Sequence, residues 1–158
     1  MIIERNNMAY LESLTPIFND YRATYVPMTN EADTKIFLEK LIRNDEAVTF
    51  IALDEESHKQ VMGFANLYPC YSSLALKRLW ILNDLFVAGE YRGKGVSKAL
   101  IERVIAFAHE TGAVRIELKT DIENEIARSL YQSVGFKIDK EHVYYRVSME
   151  SITETRKG

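Results

Sequence analysis

The chain has 158 residues, 47% of them hydrophobic and 27% charged, a size and balance that suit one domain with its own core. Its 20 Lys and Arg against 23 Asp and Glu leave a net charge of −3, which argues against general nucleic-acid binding. One cysteine excludes an internal disulfide and a multi-cysteine metal cluster. MIIERNNMAY is no signal peptide and no apolar run reaches the length of a membrane span, so the expectation is a cytoplasmic protein with neither membrane nor nucleic-acid partner.

MIIER reads as a first strand. Leu11, Leu14, Ile17, Phe18 and Tyr21 then recur at helical spacing, in a helix that ends before Pro27. A second helix fits Glu31 to Arg43, with Phe37, Leu38, Leu41 and Ile42 on its apolar side. AVTFIAL, from Ala47 to Leu53, is rich in strand formers. The polar DEESHKQ joins it to VMGFANLY, Val61 to Tyr68, as in a hairpin. PCYSSLALK reads as irregular, and RLWILNDLFV, Arg78 to Val87, as a strand with an unusual Asn83-Asp84 pair inside it.

The period then changes. Val96, Leu100, Val104 and Phe107 lie three or four apart, and Thr111-Gly112 is a good helix stop. AVRIELK, Ala113 to Lys119, predicts a strand, and ENEIARSLYQSVGF a helix with Ile126, Leu130 and Val134 on one face and Gly135 as its end. KIDKEHVYYRVSME predicts one or two closing strands, and SITETRKG a fraying polar tail. The fold class is therefore α/β: a single domain over residues 1–150 and a tail over 151–158, with a mixed, mostly antiparallel sheet flanked by helices. The two strand–helix–strand units imply local parallel pairing.

Between the fourth strand and the long helix lies YRGKGVSKAL, Tyr91 to Leu100. Gly93 and Gly95 let the backbone curl closely around a ligand. The first N–H groups of the helix have no partner within it, so with the helix dipole they form an anion site. Arg92 and Lys94 add positive charge. Two familiar phosphate loops do not fit: Gly89 stands four residues before Gly93 rather than five, and Lys98 occupies the third glycine position of a dinucleotide fingerprint. A plain turn that needs glycine only for its φ angles is the competing reading.

LNDLFVAGEYRGKGVSKALIERV resembles the acyl-CoA signature of the GCN5-related N-acetyltransferase (GNAT) superfamily. Its pattern of Arg or Gln, two residues, Gly, one residue, then Gly or Ala falls on Arg92, Gly95 and Ser97, with serine departing from the last position. NEIARSLYQSVGF resembles the family's second segment, with Asn124, Ala127, Leu130, Tyr131, Gly135 and Phe136 in register. The resemblance covers Leu79 to Phe136 and implies a GNAT-like acyl-CoA N-acyltransferase fold, with acetyl-CoA held in a V-shaped opening between the strands Ile81–Val87 and Val114–Lys119.

On that resemblance the backbone of Leu85, Phe86 and Val87 pairs with the pantetheine arm, and an N–H near Phe86 or Val87 polarises the thioester carbonyl. Arg92, Gly93, Lys94, Gly95, Val96 and Ser97 hold the pyrophosphate, and Asn124 bonds the pantetheine or nearby backbone. Tyr131 lies near the sulfur as general acid for the departing thiolate. Relatives acting on polyamines carry a glutamate where this chain has Asn83, which cannot be a base. Asp84 follows, and strand alternation puts neighbours on opposite faces, so either a bulge redirects Asp84 or the proton leaves through water.

Candidate acceptor-binding residues are Tyr21, Tyr25, Trp80 and Asn83. The resemblance implies a primary amine as substrate, a small amine or polyamine first and a protein lysine or N-terminus second. A non-catalytic acyl-CoA-binding or sensory domain is the competing class. Cys70, beside Pro69, reads as a small hydrophobe, and His58, His109 and His142 lack metal-ligand spacing. The YPCYSSLALKRLWILNDLFV block looks like that of a bacterial or fungal subgroup of the family whose members often dimerise through their C-terminal strands, and KEHVYYRVSM fits such an edge as well as it fits an ordinary last strand.

Overall fold

The computed structural model describes residues 1–57 and 60–149. The elements in chain order are β1 (Ile2–Arg5), α1 (Leu11–Ala23), α2 (Glu31–Arg43), β2 (Val48–Leu53), β3 (Val61–Ser72), β4 (Lys77–Val87), α3 (Val96–Glu110), β5 (Ile116–Leu118) and α4 (Glu125–Ser133), with short 3₁₀ turns at Met8–Tyr10 and Gly89–Tyr91. The strands form one sheet in sequence order, antiparallel from β1 to β4 and parallel between β4 and β5. The expected α/β class and mixed, mostly antiparallel sheet are observed.

Strand alternation divides the core into two layers. Val48, Phe50 and Ala52 of β2 and Trp80 and Leu82 of β4 pack under Val96, Leu100, Val104 and Phe107 of α3. On the other face Ile51, Leu53, Val61 and Phe64 meet Leu11, Leu14 and Phe18 of α1 and Leu38 of α2. Each large side chain buried this way contributes about 1.5–3 kcal/mol before entropy is subtracted.

PCYSSLALK is more regular than its composition suggests. β3 runs on through Pro69, Cys70 and Tyr71 to Ser72, paired with β4 as far as Lys77. Proline is tolerated there for a geometric reason. It stands opposite Trp80, whose N–H is directed to β5 and bonds the Arg115 carbonyl at 3.2 Å. Pro69 is thus in a non-hydrogen-bonded pair, with its missing N–H on the side where β2 has already ended at Val48.

Two expected strands fall short. Only Ile116–Leu118 of AVRIELK pairs with β4, and residues 137–149 enter no ladder of this chain among the described residues. The side chains of Val143, Tyr145, Val147 and Met149 are 77–87% exposed. The predicted hairpin position of His58 and the tail 151–158 lie outside the described residues.

Candidate active site

The register of β3 against β4 slips by one residue: Asn66 faces Asp84, but Leu67 faces Leu82. Asn83 is the extra residue of a β-bulge. Trp80 and Leu82 face α3, as do Leu85 and Val87 beyond the bulge, while Phe86 packs with the α1 layer. The bulge turns Asp84 toward α1, the first of the two alternatives left open by the sequence.

Asp84 is 8% exposed. Its Oδ1 accepts from Tyr21 Oη at 2.9 Å and from Asn83 Nδ2 at 3.1 Å, and its Oδ2 accepts from Asn66 Nδ2 at 2.9 Å. Asn66, fully buried, accepts in turn from Thr49 Oγ1 at 2.8 Å. None of the ion pairs among the described residues involves Asp84. Burying a carboxylate costs several kcal/mol, and a hydrogen bond to a charge returns about 1.5–3 kcal/mol. Three neutral donors therefore make the burial tolerable and leave a net negative charge in the site.

Tyrosines surround it. Tyr21 packs on Tyr25, Phe64 and Phe86 with ring centroids 5.4–5.8 Å apart. Burial, then the Asp84 charge, drives the Tyr21 phenol far above its ordinary range, so it remains a donor at neutral pH. Burial, then Asp84, also raises Tyr68; burial, then Asp121, raises Tyr25. Tyr131 of α4 is raised by burial first and by Tyr25 second. Its ring lies 5.8 Å from that of Phe136. One carboxylate and phenols held in the O–H form are thus gathered from α1, β3, β4 and α4.

Beside this cluster β4 loses its outer neighbour. β5 pairs with Trp80, Ile81 and Leu82 and goes no further. The Ala88 N–H bonds the Met62 carbonyl at 2.9 Å, so Phe86, two residues back in an antiparallel ladder, also directs its peptide groups to β3. Those of Leu85 and Val87 face the open side. Of the two expected carbonyl donors, Phe86 turns its N–H to β3, whereas Val87 turns its own, like Leu85, to the open side.

The glycine loop closes the top of this opening. Gly93 and Gly95 have φ of 72° and 79°, and a Cβ built on either meets nothing within 4 Å. Gly95 is the N-cap of α3; no side chain caps that end and its first turn has no acidic residue. The N–H groups of Val96, Ser97 and Lys98 are those without an intrahelical acceptor. Arg92 works inward, its Nε donating to the Val87 carbonyl at 3.0 Å and its guanidinium lying 5.6 Å from the Phe86 ring centroid. Lys94 lies 5.5 Å from the Tyr91 ring centroid. Arg92, expected to add positive charge to an anion site, is thus turned toward Val87 and Phe86.

One assignment needs correction. Trp80 is 4% exposed, packs 5.1 Å from Phe107 and donates Nε1 to Thr111 Oγ1 at 2.9 Å. It lies on the α3 face, opposite Asp84, and is a core residue rather than part of an acceptor pocket. Asn124 bonds nearby backbone, one of the two partners expected for it: its Oδ1 accepts from the Ala127 N–H at 3.1 Å as the N-cap of α4. Tyr21, Tyr25 and Asn83 do come to Asp84. Asn66, Thr49 and Tyr68 were missed; the available signal was an amide in the middle of an otherwise apolar strand.

The arrangement can now be set beside known proteins. The model of the acetyltransferase (GNAT) family matches residues 14–136. The chain belongs to this family and is an N-acetyltransferase. It is 37% identical over 133 residues to the uncharacterized N-acetyltransferase YhfO of Bacillus subtilis (strain 168), covering 84% of this chain and 87% of that protein. A crystal structure of a probable acetyltransferase is 38% identical with a TM-score of 0.91, covering 96% of this chain and 99% of the other. AAC(6')-Iy in complex with the bisubstrate analogue CoA-S-monomethyl-acetylneamine shares the fold at a TM-score of 0.75 and 23% identity, covering 93% of this chain and 97% of that one. In this N-acetyltransferase no helix among the described residues is long and apolar enough to cross a membrane, and no cluster of three metal-ligating side chains occurs among them.

Proposed function

We propose that the chain transfers an acetyl group from acetyl-CoA directly to a primary amine, a small amine or polyamine before a protein lysine or N-terminus. The observation that carries this reading is the buried Asp84 carboxylate, which no protein cation neutralises among the described residues and which lies beside the open edge of β4. An ammonium supplies the missing positive charge, and the tyrosine faces around it suit a cation with an apolar stem. The 8% exposure of Asp84 favours a slim acceptor.

The residues present fit acetyl-CoA. Open space above Gly93 and Gly95 and the uncapped start of α3 suit a pyrophosphate. The outward peptide groups of Leu85 and Val87 suit an amide-bearing arm laid along β4 as an added strand. When bound, acetyl-CoA supplies an activated carbonyl whose C–S bond breaks as a C–N bond forms. Asp84 accepts a proton from the ammonium, which frees the amine lone pair. The Val87 or Leu85 N–H steadies negative charge on the carbonyl oxygen. Tyr131 gives its phenolic proton to the sulfur, and the nitrogen returns one to Tyr131 as the amide forms.

Calorimetric titration with acetyl-CoA, beside ATP, tests the first half, and a thiol-release screen of amines tests the second. Micromolar acetyl-CoA binding without ATP binding, with release driven by small primary amines, is the expected result. Release with lysine peptides alone would move the acceptor to proteins; binding without release by any amine would favour a sensory domain.

A homodimer is part of the same proposal. Residues 137–149 place apolar side chains at every second position from Val143 to Met149, no strand among the described residues pairs with the outer edge of β5, and Ile126 on α4 is 87% exposed. A second copy's segment laid on β5 would cover all three. Light scattering should give twice the 18.2 kDa chain mass, and Tyr145→Asp with Val147→Lys should halve it. A monomer at every concentration would dismiss the exchange.

A further inference from the structure

The carboxylate at the centre of the site is bonded from the neighbouring strand, β3. Asn66 stands directly opposite Asp84 in the β3–β4 ladder, at the register slip, and opposed residues share a face. Its side chain is wholly buried, so its amide has only protein partners to choose from. The neighbours leave one orientation. The amide oxygen accepts from Thr49 Oγ1 at 2.8 Å, and Nδ2 donates to Asp84 Oδ2 at 2.9 Å. A flipped amide would press its oxygen against a carboxylate oxygen, two acceptors with no proton between them.

We infer that Asn66, held by Thr49, is a positioning residue that fixes the Asp84 carboxylate toward the acceptor amine. The inference rests on Asp84 as the base of the proposed reaction. Tyr21 and Asn83 both bond Oδ1, so Asn66 alone supplies the donor to Oδ2 among the described residues. The two oxygens are therefore pinned from opposite sides, one from α1 and the bulge, the other from β3. Without the Asn66 contact the carboxylate can rotate about Cβ–Cγ and lose its direction. The titratable groups facing Asp84 are Tyr21 and Tyr25 from α1 and the loop after it, and Tyr68 from β3. Tyr131 of α4 and Asp121 act on those phenols.

The test is the pH profile of kcat and kcat/KM for the wild-type enzyme, Asn66→Leu, Asn66→Asp, Asp84→Asn and the Asn66→Leu/Asp84→Asn pair, with acetyl-CoA affinity measured alongside. Asn66→Leu should lower kcat about tenfold with acetyl-CoA affinity unchanged. It should cost nothing further in the Asp84→Asn background, since a carboxylate that is gone cannot be aimed. Asn66→Asp sets a second carboxyl against the first and should move the acid limb up by about one pH unit or more. Thr49→Val, which frees the amide to turn, should shift kcat in the same direction by less; it serves if Asn66→Leu does not fold.

An unmoved acid limb in folded Asn66→Asp, or additive losses in the pair, overturns the positioning role while leaving the function intact. An unaltered profile in Asp84→Asn removes the proposed base and the inference with it.

Discussion

Replacing Tyr131 by Phe is expected to lower kcat about 10²-fold while the Kd for acetyl-CoA changes by less than about twofold. The substitution removes one hydroxyl and keeps the ring, so the contact with Phe136 at 5.8 Å between centroids survives. Burial, and secondarily Tyr25, holds the phenol above its ordinary pKa. The acid form is therefore present throughout the neutral range, and any loss of rate on the alkaline side that reports its ionisation should disappear in the variant. Stopped-flow thiol release gives kcat, and calorimetry gives the affinity. Equal losses in both would make Tyr131 a binding residue; an unchanged kcat would remove it from the chemistry.

Gly95→Asn should weaken acetyl-CoA about 10²-fold, about 2.7 kcal/mol, the worth of one or two hydrogen bonds to a charged phosphate. Asparagine is chosen because it tolerates the left-handed φ of 79° better than other side chains. Space is open around a Cβ at this position, so the folded chain has room for the new side chain and the ligand does not. Gly112→Asn is the matched control: its φ is 66°, its surroundings are equally open, and it lies at the opposite end of α3. Both variants should lose a similar small amount of thermal stability, and only the first should lose affinity. Equal affinity in the two would mean that YRGKGVS is a turn and nothing more.

Helices and central strands were legible because their signals are local. The apolar spacing of Leu38 and Leu41, the strand composition of VTFIAL and the Thr111-Gly112 stop each act within a few residues, and α2 has the expected bounds of Glu31 and Arg43. Non-local facts were harder to read. Pro69 looks like a strand breaker until its neighbour on the N–H side is known to be missing. Trp80 looks equally fit for a pocket or a core until its face is assigned. Asn66 has no motif; it gains a role only when folding sets it across from Asp84, 18 positions away in sequence. The segment 137–149 has the alternation of a strand, but alternation does not name the edge to which a strand adds.

The extra residue in β4 has a consequence for how this site can vary. Side-chain identity decides what the carboxylate bonds to, but the number of residues before it decides which layer it enters. Removing Asn83 would restore the plain two-residue rhythm and send Asp84 among Leu100, Val104 and Phe107, where a charge has no partner. Substitution can therefore reshape the pocket one residue at a time, whereas a one-residue deletion ahead of Asp84 would exchange the α1-facing and α3-facing sides of the strand at once. Chain length through this stretch is itself under chemical constraint.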